Sequence, residues 1–220
     1  MKKNRQRTKE KDIRIQEIEN AAKKVFFKKG YQESSIDEIA KKADISKGTI
    51  YLYFKNKEDL YLALMLPMFR EVTRLSEEFE KKLDESEFKS AYDYFMEFSK
   101  ICLKAYEIDP DGFMVYRAFQ LEDFSSKVSQ DTYERLNEVA RANNAIARRC
   151  MSKAIDSGLL PPVDIIKIAD VSWGLFLGVM QVELDKLKWT KKDHVKDTIE
   201  YAFTLISKGV EGLRSKKKEK

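Results

Sequence analysis

The chain has 220 residues, of which 43% are hydrophobic and only 8 are Gly and 4 Pro, so it can bury a sizeable core and is too apolar to be disordered. Its formal charge of +5 is unevenly spread: residues 1–60 carry 16 Lys/Arg against 10 Asp/Glu and the remainder 26 against 27, so only the first quarter is suited to a polyanion. Residues 1–14 lack the apolar run of a secretory leader, the apolar stretch 171–184 is too short to span a bilayer, and Cys102 and Cys150 have no paired spacing, which together predict a cytoplasmic protein with no membrane partner.

Residues 1–11 are polar and charged, an arm expected to be mobile. From Ile13 onward Ile15, Ile18, Ala22, Val25 and Phe26 recur at helical spacing, and Gly30 supplies the stop behind Lys28 and Lys29. Ser35 and Glu38 have the spacing of a capping box, which opens a short second helix near Ile36 and buries Ile36, Ile39, Ala40 and Ala43. Asp44, Ile45 and Ser46 form a three-residue turn, and Ser46 caps a third helix running from Lys47 to Tyr53 or Phe54. Asn56 caps the next, beginning at Lys57. Longer helices are predicted over 57–83, 88–107, 110–123, 126–157, 164–188 and 191–214, with breaks at 84–86, 109–110, 125–126, 158–162 and 189–190. No strand alternation and no internal repeat is visible. The expected fold is therefore all-α, with about nine helices: an N-terminal arm and three-helix helix-turn-helix headpiece (1–56), a larger helical ligand-binding and dimerisation domain (57–214) and a basic tail (215–220).

Two short capped helices separated by three residues are the layout of a DNA-binding helix-turn-helix. Wound at about 100° per residue, the third helix turns Ile50 and Phe54 to one face and Gly48 and Leu52 to the other, with Thr49 and Tyr51 flanking and Lys47 near the start. Thr49 suits a base edge and Leu52 a thymine methyl, while Lys47, Tyr51, Tyr53 and Lys57 are phosphate-contacting types. Ser35 and Ser46, beside helix N-termini, can add hydrogen bonds to phosphate. Each has a plainer reading too: Ser35 as a helix cap alone, Tyr51 and Tyr53 as core, Lys57 as a solvated residue. Gly48 permits close approach to DNA, or only relieves crowding against the second helix.

Gly30, Tyr31, the run Ser35 to Ala40, Ala43, the run Ile45 to Tyr51 and the run Tyr53 to Leu60, with Ala21, Ala22 and Phe26 before them, closely resemble the TetR family of bacterial regulators over about residues 13–62. Tyr53 stands where the family usually has His, keeping a hydrogen-bonding tip for phosphate. The resemblance implies a homodimer, a palindromic double-stranded DNA operator and repression relieved by a small molecule. It also implies a variable C-terminal half, so no residue there is carried over by motif.

In that half, residues 165–187 are apolar almost all round, which demands burial on more than one side. Gly174 and Gly178 share a face; with Trp173, Leu177 and, in the last helix, Gly209 and Gly212, they suit a dimer seam or an internal packing groove. In TetR-like proteins the last two helices usually build that seam. Phe69, Phe95, Phe98, Tyr106, Phe113, Tyr116 and Phe119, with Met65 and Met180, form either ordinary core or a pocket for an apolar or amphipathic effector, which Asn143 or Gln181 would orient. His194 is the sole histidine, and there is no Cys/His cluster, phosphate-cradling Gly loop or Ser-His-Asp set. No catalytic or metal site, no cofactor and no enzyme activity is expected. The competing reading is a nonspecific or architectural nucleic-acid-binding helical protein.

Overall fold

The computed structural model describes residues 2–121, 124 and 126–215; Ser125, part of one expected break, and residues 216–220 of the expected tail lie outside them. The described residues form ten helices and no strand: α1 (Lys2–Lys29), α2 (Ile36–Ala43), α3 (Lys47–Tyr51), α4 (Lys57–Ala63), α5 (Leu66–Asp84), α6 (Ala91–Ile108), α7 (Pro110–Leu121), α8 (Gln130–Asp156), α9 (Ile165–Thr190) and α10 (Val195–Ser215).

Two departures from the sequence reading have plain causes. The expected mobile arm is instead the first turns of α1, because residues 2–12 contain no Gly or Pro and are rich in Lys, Arg, Gln and Glu, all good helix formers. The expected helix 57–83 is two helices. Pro67 cannot donate to the carbonyl of Ala63 and its ring would strike it, so the chain breaks at Leu64 and Met65 and restarts at Leu66. That break makes ten helices from about nine. α3 also ends sooner than Phe54: the amides of Leu52 and Tyr53 bond three residues back, to Thr49 (3.3 Å) and Ile50 (2.9 Å), tightening the last turn.

Contacts divide the chain into two compact units, one of residues up to 68 with 109–139, the other of 69–108 with 140 onward. In the first, α1 packs against α2 and α4, and α2 against α3, with Ile18, Ala22, Phe26, Ile39, Ala40, Ile50 and Leu60 all buried. Each Ile, Leu or Phe side chain so withdrawn from water contributes about 1.5–3 kcal/mol, and each Ala less. Beyond the expected headpiece (1–56) this unit takes in α4, the first residues of α5, α7 and the start of α8. Phe124 lies 5.7 Å from the Tyr31 ring and 5.9 Å from that of Tyr61. The buried Asp59 carboxylate accepts the Ser129 amide at 2.8 Å, and the Asn56 amide donates to the Lys127 carbonyl at 3.0 Å. Asp109 caps α7 through the Gly112 amide (3.0 Å) and takes the Lys23 ammonium at 2.6 Å.

The second unit packs α10 against α6 and α9. Tyr94, Phe95, Phe176, Met180, Ile199 and Phe203 are its most buried large side chains. Arg149 and Lys153 of α8 clasp Glu80 of α5 at 2.9 and 3.1 Å. The two cations, Arg149 foremost, hold the Glu80 carboxyl down to about 2.

Candidate nucleic-acid interface

The helix-turn-helix is built by its caps. Ser35 Oγ accepts the Glu38 amide (3.3 Å) while the Glu38 carboxylate accepts the Ser35 amide (3.1 Å), a closed capping box that fixes the first residue of α2. Lys29 also pairs with Glu38, and Lys29 first, then the Ser35 amide, hold that carboxyl below its usual range. α2 ends where Asp44 turns left-handed (φ 55°) and its amide bonds back to Ala40 and Lys41. Ser46 Oγ then accepts the Thr49 amide at 3.1 Å and starts α3, and Asn56 Oδ1 accepts the Asp59 amide at 2.7 Å and starts α4.

These caps orient α3 as its periodicity predicts. Ile50 (0% exposed) and Phe54 (4%) face the core, whereas Leu52 is 80% exposed and Tyr51 46%. Lys47, Gly48 and Ser46 are exposed, and Ser35, Thr49, Tyr53 and Lys57 are half-buried. Tyr51 is therefore not a core residue in this chain. A Cβ added at Gly48 would meet only Ser46 Oγ, at 3.7 Å, so crowding against α2 does not account for the glycine. Lys47 pairs with Asp37 across the turn at 2.7 Å; this carboxylate, its largest influence, raises the ammonium's pKa. Both partners are exposed, so the pair is weak and can yield Lys47 to a phosphate.

Lys57 is arranged otherwise. Its ammonium donates to the carbonyls of Tyr31 and Ser34 (3.0 Å each) and Gln32 (3.5 Å), and lies 4.4 Å from the Tyr31 ring centre. A lysine has three N–H donors, so a phosphate would have to displace one of these carbonyls. Tyr31 in turn donates to Glu58 at 2.6 Å. Sequence spacing places Lys57 at a helix start but gives no sign of this anchorage between α4 and the loop after α1, which spans 26 residues of chain.

The residues expected to line an effector pocket divide between the units. Met65, Phe113, Tyr116 and Phe119 belong to the first; Phe69, Phe95, Phe98, Tyr106, Asn143, Met180 and Gln181 belong to the second. Met65, Phe95, Phe113, Tyr116 and Met180 are buried and the rest half-buried. Both polar candidates have partners: Asn143 accepts the Thr73 hydroxyl at 2.9 Å and donates to the Phe69 carbonyl at 3.4 Å, and Gln181 donates to Asp185. Two open hollows among the described residues lie elsewhere, one of about 430 Å³ lined by Asn20, Lys23, Lys24, Phe27 and Asp111, the other of about 260 Å³ beside Lys89 and Arg214.

On α9, Trp173 and Leu177 are half-buried, and an added Cβ at Gly174 or Gly178, or at Gly209 or Gly212 of α10, would meet nothing within 4 Å. Around them Ile166, Val171, Val182, Tyr201 and Leu205 are more than half exposed. α9 is longer than the apolar run that the sequence marks: it has 26 residues and holds an 18-residue window of mean hydropathy 1.5, long and apolar enough to cross a membrane by length and composition alone.

Comparison with known proteins matches residues 18–64 to the family model for bacterial regulatory proteins of the tetR family. The Fatty acid metabolism regulator protein of Bacillus subtilis (strain 168) is 24% identical over 209 residues, which cover 94% of this chain and all of that protein. The fold is similar to the crystal structure of the transcriptional regulator FadR from Bacillus subtilis in complex with stearoyl-CoA (TM-score 0.66, 22% identity, 89% of this chain and 98% of that one). It is likewise similar to the TetR-family regulator PfmR from Thermus thermophilus (TM-score 0.64, 17% identity, 87% and 97%).

Proposed function

From an N-terminal domain that belongs to the TetR family, we propose that this chain is a DNA-binding transcription regulator, a homodimer whose two α3 helices read the half-sites of a palindromic operator. The observation that carries the reading is the face of α3, where Lys47, Gly48, Tyr51 and Leu52 point outward over a buried Ile50. Lys47 and Tyr51 supply phosphate contacts, Thr49 a base-edge hydrogen bond and Leu52 an apolar surface for a thymine methyl. Gly48 lets the backbone approach the groove. Two-fold symmetry sets the half-sites about one DNA turn or slightly more apart.

The regulator acts as a repressor in the cytoplasm and is released by a small amphipathic effector. The relative named as a fatty acid metabolism regulator and the structural neighbour holding stearoyl-CoA favour a long-chain acyl thioester. The apolar set in the second unit, Phe69, Phe95, Phe98, Tyr106 and Met180, suits the acyl chain, with Met180 able to repack around it. Phe95 and Met180 are fully buried, so binding requires that this interior open. Effector then shifts the population between an operator-binding and a released state by its differential affinity for the two.

The test is selection of duplexes from a random pool, followed by titration of the selected and a scrambled duplex, with and without stearoyl-CoA. A preference of roughly a thousandfold or more is expected at physiological salt. Acyl-CoA should weaken binding to the selected duplex. Equal affinity for both duplexes at every salt concentration would replace this reading with the nonspecific architectural one. A selective chain indifferent to acyl-CoA would retain the operator and lose the effector class.

A further inference from the structure

The positive surplus of the first sixty residues is not centred on the helix-turn-helix. Residues 2–17 carry seven Lys/Arg against three Asp/Glu, residues 18–60 only nine against seven. Several cations of the second group are already engaged: Lys23 with Asp109, Lys29 with Glu38, Lys47 with Asp37, and Lys57 with backbone carbonyls. The family model begins at residue 18, whereas α1 begins at Lys2. Sixteen residues of helix, roughly 24 Å at about 1.5 Å each, thus precede the matched domain.

The placement of charge on this extension is directional. Arg7, Lys11 and Arg14 stand at i, i+4 and i+7, and the row continues into Ile18 and Ala22, the face that α1 buries beneath the rest of the headpiece. The face that α1 buries within the headpiece is therefore basic beyond it. Arg7 and Lys11 are exposed and, like Lys9, form no ion pair with a described residue; Arg14 pairs only with the exposed Glu17, at 2.8 Å.

We propose that this basic extension of α1 is a second DNA contact, lying against duplex phosphates that flank the half-site taken by α3. The inference rests on the operator reading above and adds a sequence-independent contribution to it. The test compares the chain with a variant carrying Arg7→Gln, Lys11→Gln and Arg14→Gln, the row that shares one face of α1, which keeps good helix formers and whose helicity is checked by far-UV circular dichroism. Both bind a duplex selected by the wild-type chain, in long and flank-trimmed forms, across a sodium chloride series.

The slope of log affinity against log salt should fall by about 0.9 for each phosphate that is no longer neutralised. If all three cations meet phosphates, the drop in affinity over a fourfold rise in salt becomes about 40-fold smaller in the variant. The preference for selected over scrambled duplex should stay unchanged. Trimming the flanks should bring the wild-type affinity down to that of the variant and leave the variant unmoved. Equal slopes together with equal responses to trimming overturn the proposal. A wild-type chain that prefers no duplex overturns the operator reading instead, a result separable from the slopes.

Discussion

Gly48 is a position at which fold and proposed function pull in opposite directions. It lies inside a five-residue helix, where glycine costs about 1 kcal/mol relative to alanine, and nothing in the chain nearer than 3.7 Å opposes a Cβ there. Gly48→Ala should therefore raise stability by about 0.5–1 kcal/mol in denaturant unfolding, while weakening binding to the selected duplex at least tenfold through a methyl group facing the groove. A variant as stable as expected that binds DNA at full strength would remove close approach as the reason for the glycine. Gly112 is the opposite case. There a Cβ would sit 2.5 Å from the Asp109 carboxylate and 3.0 Å from the Leu64 carbonyl. The carboxylate is held by Lys23 and by the Gly112 amide itself, and a backbone carbonyl cannot swing aside. Gly112→Ala should cost about 1–3 kcal/mol, read as a lowered unfolding midpoint.

Caps decide which elements the sequence makes legible. Ser35 with Glu38, Ser46 and Asn56 act within three residues along the chain, so α2, α3 and α4 begin where local spacing places them. Ile50 and Phe54 likewise reach the core by periodicity alone. Legibility fails where the deciding contact is distant or where one residue outvotes a long pattern. The apolar repeat through 57–83 hides the break that Pro67 enforces, and the carbonyls that hold Lys57 lie more than twenty residues away. The effector residues are the least legible, because an aromatic row at helical spacing looks the same whether it fills a core or lines a pocket.

At the same scale, the clasp of α5 on α8 gives a pH signature. Folding lowers the Glu80 pKa, from an unfolded value of 4.5 to about 2, so its contribution is fully present above the unfolded value and fades as pH falls through this window. Glu80→Gln should lower the melting temperature at neutral pH and converge with the parent chain toward pH 2. A gap between the two that persists undiminished at the acid end would show that Glu80 acts by packing instead.

For the whole molecule, the central question is what covers α9 and α10. Their outward residues include Ile166, Val171, Val182, Tyr201 and Leu205, each more than half exposed, around four glycines that meet no neighbour. A contiguous apolar surface of this kind on one chain calls for a partner. A second copy is the simplest, since the same two helices from each chain can pack two-fold as a four-helix seam in which the glycines admit close approach. Leu205→Arg and Gly178→Arg test this without touching either core, because both positions face open space. Sedimentation should give the parent chain twice its 25.8 kDa mass and the double variant a single chain, with secondary structure unchanged. Operator affinity should fall by at least a hundredfold, since one headpiece then binds without its linked partner at an effective concentration in the millimolar range. A parent chain that sediments at 25.8 kDa would end the seam, and one that stays in solution only with detergent would turn attention to the apolar length of α9. If instead the double variant remains two-fold, the interface lies on another face and the exposed glycines serve some other contact.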